Sequence, residues 1–138
     1  MSDFQKEWAI LHNDIEKYEK FSIVIKLFSV LISVLCISYI LNEWVTVTFI
    51  LILWLQDGIW KTFQKRLEAR ILFIEKKLNH KVIDNDIPFQ FYSQWENKRQ
   101  GIKGLLIEYI SNSAKPTVAY PYFLLIVLTL IVYKLAIN

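Results

Sequence analysis

The sequence predicts an all-α integral membrane protein with three transmembrane helices, the first two forming a long antiparallel hairpin that extends into the cytoplasm. Three observations predict it. Hydrophobic residues make up 54% of the 138-residue chain, against about 45 to 50% in soluble domains. Three apolar windows are long enough to cross a hydrocarbon core, and Lys and Arg fall almost wholly on one side of them. At this length the chain forms one domain and leaves no room for a separate catalytic module.

The first element is a helix over residues 3–41. Its opening stretch, Met1 to Lys20, is rich in Asp, Glu and Lys and has no small-residue cleavage site, so it reads as mature protein rather than a signal peptide. Phe4, Trp8, Leu11, Ile15 and Tyr18 recur at spacings of four and three, one apolar stripe on a charged helix. From Phe21 to Leu41 only Lys26 interrupts an apolar run, and about 20 such residues suffice to span. Cys36, the single cysteine, lies inside this run and reads as a small packing residue.

The second helix covers residues 44–80, with Trp44 to Trp60 as its membrane part; tryptophans at both ends fit the two headgroup levels. Only Asn42 and Glu43 separate it from the first, which forces an antiparallel hairpin. Beyond the membrane, Phe63, Leu67, Ile71, Ile74 and Leu78 continue the apolar stripe. Folding about Asn42 and Glu43 pairs residues whose numbers sum to about 85, so Trp8 meets Leu78, Leu11 meets Ile74, Ile15 meets Ile71 and Tyr18 meets Leu67, as in an antiparallel coiled coil.

A cytoplasmic connector over residues 82–115 carries Asp84, Asp86 and Pro88, then Phe89, Phe91, Tyr92 and Trp95. Within it, Leu105 to Ile110 reads as a short helix lying against the inner interface. The third span covers residues 117–137, with Tyr120, Tyr122 and Tyr133 marking interfaces and Pro121 bending the first turn.

Orientation follows from the basic residues. Lys6, Lys17, Lys20 and the stretch from Lys61 to Lys115 lie on one side and the short hairpin turn has none, so the amino terminus is placed in the cytoplasm and the carboxyl terminus outside a bacterial inner membrane. Lys134, near the end of the third span, snorkels to the outer interface.

Few residues carry chemistry. Ser22, Lys26, Ser29, Ser33 and Cys36 place one polar, small face on the first span. Two readings are open: the face lines an aqueous path, or its small residues let helices approach while the hydroxyls bond to backbone. Asp57 is sharper. Measured from Trp44 it lies about 20 Å along the helix, inside a core about 30 Å thick, and intramembrane carboxylates mark functional sites by default. Folding the hairpin brings Lys26 within a turn of it, so an ion pair within one hairpin or between subunits is expected; the plainer alternative is a carboxylate reached by water at the inner interface. Lys26, Ser29, Ser33 and Asp57 are therefore the candidate pore or polar-face residues. His12 and His80 fall at different levels of the hairpin with no clustered carboxylate or cysteine, which argues against a metal site. No phosphate loop, nucleophile elbow or paired general acid and base is present, so no cofactor, catalytic residue or enzymatic activity is expected. The basic run from Lys61 to Lys77 is explained by topology and anionic headgroups rather than nucleic acid.

The stretch LILWLQDGIWKTFQKRLEAR, from Leu51 to Arg70, together with the charged helix before it and SAKPTVAYPYFLL from Ser113, resembles a group of short bacterial three-helix membrane proteins of uncharacterised role. A looser similarity is to two-helix membrane effector domains of bacterial defence systems, which implies assembly in the inner membrane. The sequence thus supports an oligomeric inner-membrane protein of channel or pore type, with the lipid bilayer and further copies of itself as partners. The alternative is a non-conducting scaffold or regulatory subunit that binds a cytoplasmic protein through its coiled coil.

Overall fold

A computed structural model of the chain describes residues 2–38, 42–80, 87–98 and 101–137. Among them the architecture is all-helical: α1 spans Asp3–Ser38, α2 Glu43–His80, α3 Phe91–Lys98, α4 Ile102–Ser113 and α5 Pro116–Ile137. The expected helix ends at 39–41 and the start of the connector at 82–86 lie outside the described residues.

Local chemistry sets the visible ends. Ser2 and Gln5 form a reciprocal cap, with the Ser2 amide on Gln5 Oε1 at 2.8 Å and the Gln5 amide on Ser2 Oγ at 3.4 Å. Asn42 caps α2 by accepting the Trp44 amide on Oδ1 at 2.9 Å. Pro116 opens α5, where its missing N–H is no loss. Pro121 stands inside α5 and the helix continues through it to Ile137.

α1 and α2 run antiparallel, and their apolar stripes meet as the spacing predicts. Leu11, Leu67, Ile71 and Ile74 are buried together, with Phe4, Trp8, Ile15 and Tyr18 packed around them. The register differs from the expected one by about a helical turn. Observed partners include Phe4 with Lys77, Trp8 with Glu75, Phe21 with Trp60 and Glu7 with Arg70; the numbers of these pairs sum to between 77 and 83 rather than 85. Directional pairs hold this alignment: Phe21 stacks on Trp60, Trp8 Nε1 donates to Glu75 and Glu7 bridges Arg70, whereas apolar side chains of similar size pair almost equally well one turn either way.

α5 packs on both α1 and α2, and α4 packs along α2. Cross-links fix the directions: Ser22, Asp57 and Tyr122 share one level, and Cys36, Thr46 and Tyr133 share another. α1 and α5 therefore run the same way and α2 runs against them. α1 and α5 are each long and apolar enough to cross a membrane. Their outward faces are apolar, with Leu27, Phe28, Leu31 and Val34 of α1 and Phe123, Leu128 and Ile131 of α5 all exposed.

Candidate functional site

The polar face of α1 is turned into the bundle. Ser22, Ser29, Ser33 and Cys36 are all buried, which follows from their spacing of three and four on a helix that packs against α2 and α5. Ser29 Oγ donates to the Lys26 carbonyl at 2.7 Å and Ser33 Oγ to the Ser29 carbonyl at 2.7 Å. Both hydroxyls are thus satisfied by their own helix, the arrangement of a packing face.

Asp57 is the centre of the site and is fully buried. One carboxylate oxygen accepts the Ser22 hydroxyl at 2.5 Å; the other accepts the Tyr122 hydroxyl at 3.1 Å and lies 2.9 Å from the Lys26 ammonium. Lys26 also donates to Ser22 Oγ at 2.7 Å, which closes a ring of ammonium, hydroxyl and carboxylate. An ionised carboxylate only accepts hydrogen bonds, and here it meets three donors from two helices. The Lys26 charge offsets its own, so a group that is expensive to bury alone is neutralised within one chain. Lys26 keeps a quarter of its side chain exposed, at the edge of the site.

A second tie lies further along the bundle. Thr46 Oγ1 and the Tyr133 hydroxyl are 3.3 Å apart, and Tyr133 donates to the Cys36 carbonyl at 3.4 Å. Between the two ties, on the same face of α5, Thr129 is buried with no hydrogen-bond partner for its hydroxyl among the described residues. Ile50, Val118 and Tyr122 form the apolar core beside the ionic tie.

The helix pair α2 and α4 closes on Gly58. A Cβ there would lie 1.7 Å from Ser113 Oγ, 2.7 Å from Ser113 Cβ and 3.0 Å from Ser113 Cα. Only glycine permits this approach. Around it, Asn112 donates to Thr62 Oγ1 at 2.8 Å and Trp54 Nε1 to the Ser113 carbonyl at 2.9 Å.

No protein-family model, curated protein or solved structure matches the chain. Among the described residues no group of three His, Cys, Asp or Glu side chains converges to hold a metal ion.

The structure joins Lys26 and Asp57 within one chain and places Ser29 and Ser33 on the same buried face. Two tyrosines of α5 escape the sequence reading. Tyr122 and Tyr133, expected at membrane interfaces, point inward and are buried, whereas Tyr120 is exposed. The signal was present: Tyr122, Thr129 and Tyr133 are spaced seven and four, one face of a helix.

The charged end of the hairpin holds a second buried pair. Glu7 and Arg70 are each 3% exposed and meet in a bidentate bridge of 2.8 and 3.1 Å. Arg70 also donates to Gln94 Oε1 at 2.8 Å, and the Phe89 amide donates to Glu7 at 2.9 Å. Phe89 takes a positive φ of 63° to present that amide. α3 is drawn onto the hairpin: Phe91 packs on its apolar core, and Trp95 lies 4.9 Å from the Arg66 guanidinium. At the tip, Gln5, Trp8, Ala9, Glu75, Leu78 and Asn79 line an open groove of 610 Å³.

Proposed function

We propose that this chain crosses a bacterial inner membrane three times, amino terminus inside and carboxyl terminus outside, and serves as a non-conducting scaffold or regulatory subunit that presents its cytoplasmic hairpin to a partner protein. The outward apolar faces of α1 and α5 support the membrane assignment, since patches of that size are not left in water. The distribution of Lys and Arg supports the orientation. α2, antiparallel between two candidate spans and bearing the Trp44 to Trp60 run, supplies the third crossing.

One observation carries the choice of function: Ser22, Ser29, Ser33 and Asp57, the polar groups available to line a path, have hydrogen-bond partners inside a single chain. A face so engaged acts as a clasp. The hairpin beyond the membrane offers the groove beside Trp8 and Leu78 for a partner.

The oligomeric channel is the second reading, supported by the part-exposed Lys26 at the bundle edge. Ion flux into liposomes carrying the purified protein separates the two. The scaffold reading predicts flux no greater than in empty liposomes for both the wild type and Asp57→Asn. Ion-selective flux that changes in Asp57→Asn would overturn it in favour of the channel.

A further inference from the structure

The outer face of α4 has no partner among the described residues. Ile102, Leu106, Ile107 and Ile110 are each more than half exposed, while Glu108, Asn112 and Ser113 on the other side bind α2. We propose that this apolar face is immersed in the inner leaflet of the lipid bilayer, making α4 an amphipathic helix that crosses from the headgroup zone into the edge of the hydrocarbon core. The inference rests on the membrane-spanning reading above.

Depth carries the argument. α4 is tied to α2 at three places that run in opposite order, Glu108 to Arg66 at 2.7 Å, Asn112 to Thr62, and Ser113 against Gly58. It therefore stands along α2 and descends as α2 does. A core about 30 Å thick takes about 20 helical residues. Counted from Trp44, that places the inner boundary of α2 between Trp60, the aromatic at the inner end of the run, and Gln64. Ser113, at the level of Gly58, is then inside the core, and Glu108, at the level of Arg66, is at its edge. Ile107 and Ile110 fall between or beside these two levels, at the core's edge, and Ile102, six residues and about 9 Å below Glu108, reaches the water side of the headgroups.

Continuity and charge support the same occupant. α4 passes through Ala114 and Lys115 directly into α5, whose Tyr120, Phe123 and Leu124 continue an exposed apolar surface. Lys103 stands exposed near the start of α4, suited to anionic headgroups.

Nitroxide labels test this in a Cys36→Ser background, in nanodiscs of phosphatidylethanolamine and phosphatidylglycerol. Single substitutions Ile107→Cys, Ile110→Cys, Leu105→Cys and Leu128→Cys are compared for collision with oxygen and with a water-soluble nickel chelate. Labels at 107 and 110 should collide with oxygen in preference to nickel, the label at half-buried 105 should collide less with both, and the label at 128, exposed in the middle of α5, should report lipid. Nickel-accessible labels at 107 and 110 beside a lipid-exposed 128 would overturn the inference, placing the face in water. Labels at 107 and 110 shielded from both probes would overturn it too, with a second copy or another protein as the cover. A nickel-accessible 128 would instead overturn the membrane reading.

Discussion

The apolar and charged halves of the hairpin are built from the same two helices yet are turned inside out relative to one another. Toward the charged end, Leu11, Leu67, Ile71 and Ile74 are buried and charges such as Lys6, Asp14 and Lys17 face outward. Toward the turn, Ser22, Ser29, Ser33, Thr46 and Asp57 are buried while Val24, Leu27, Leu31 and Ile52 face outward. The difference fits two solvents, water at the charged end and, on the membrane-spanning reading, lipid toward the turn. In water, burial of apolar surface drives the helices together. In lipid that drive vanishes, and small residues, hydrogen bonds and paired charges must hold them. Each half also carries a buried ion pair, Glu7 with Arg70 and Lys26 with Asp57.

The largest effect that would sharpen the contrast is expected at Arg70. Arg70→Met leaves the Glu7 carboxylate buried without its cation, at about 3 to 5 kcal/mol. Hydrogen exchange followed by mass spectrometry should show α1 before Tyr18 and α2 after Phe63 opening, with residues 22–36 still protected. Equal loss of protection in both halves would break the comparison, because the halves would then be one cooperative unit.

A smaller loss is expected at Gly58. The added methyl of Gly58→Ala meets Ser113 Cβ and Cα as well as the hydroxyl, so α4 must shift, at about 1 to 3 kcal/mol. Faster exchange should appear across Ile102–Ser113. Adding Ser113→Gly should recover part of the stability, since the methyl then meets nothing but backbone. An unchanged melting temperature for Gly58→Ala would show that the two helices do not approach so closely.

Thr129 supplies the smallest effect, and its sign is reversed. Its buried hydroxyl has no partner among the described residues, and valine of similar shape removes the penalty of leaving it unmade. Thr129→Val should therefore raise stability, by up to about 1 kcal/mol. A measurable loss in thermal melting would show that the hydroxyl is engaged.

Much of this was legible in the sequence. The period of the stripe from Phe4 to Tyr18 and from Phe63 to Leu78 determined which faces meet, and the expense of a lone carboxylate in an apolar run singled out Asp57 and pointed to Lys26. The register was not legible to better than a turn, because apolar side chains of similar size pair almost equally well when slid by one repeat; the directional pairs Trp8 with Glu75 and Glu7 with Arg70 distinguish the alternatives. Glu7 and Arg70 were hidden because a stripe is found by its apolar members, and a paired charge within it reads as surface. Tyr122 was hidden for a related reason: tyrosine suits both a membrane interface and a buried hydroxyl contact, and only its spacing with Thr129 and Tyr133 separates the two. Gly58 stood beside Asp57 with no indication of the Ser113 backbone that requires it.

The central claim is that the polar groups of the apolar half form a clasp within one chain, and a double-mutant cycle on its ion pair tests it most directly. Melting is measured in nanodiscs for Lys26→Met, Asp57→Asn and the two together. Lys26→Met should be the most damaging, since it leaves a fully buried carboxylate with only the Ser22 and Tyr122 hydroxyls, at about 3 to 5 kcal/mol. Asp57→Asn should cost less, because the part-exposed Lys26 keeps the Ser22 hydroxyl and its long stem can snorkel toward the inner interface. The double variant should return close to the wild type, as removal of both partners often does. Additive losses, or wild-type melting in all three variants, would contradict the clasp.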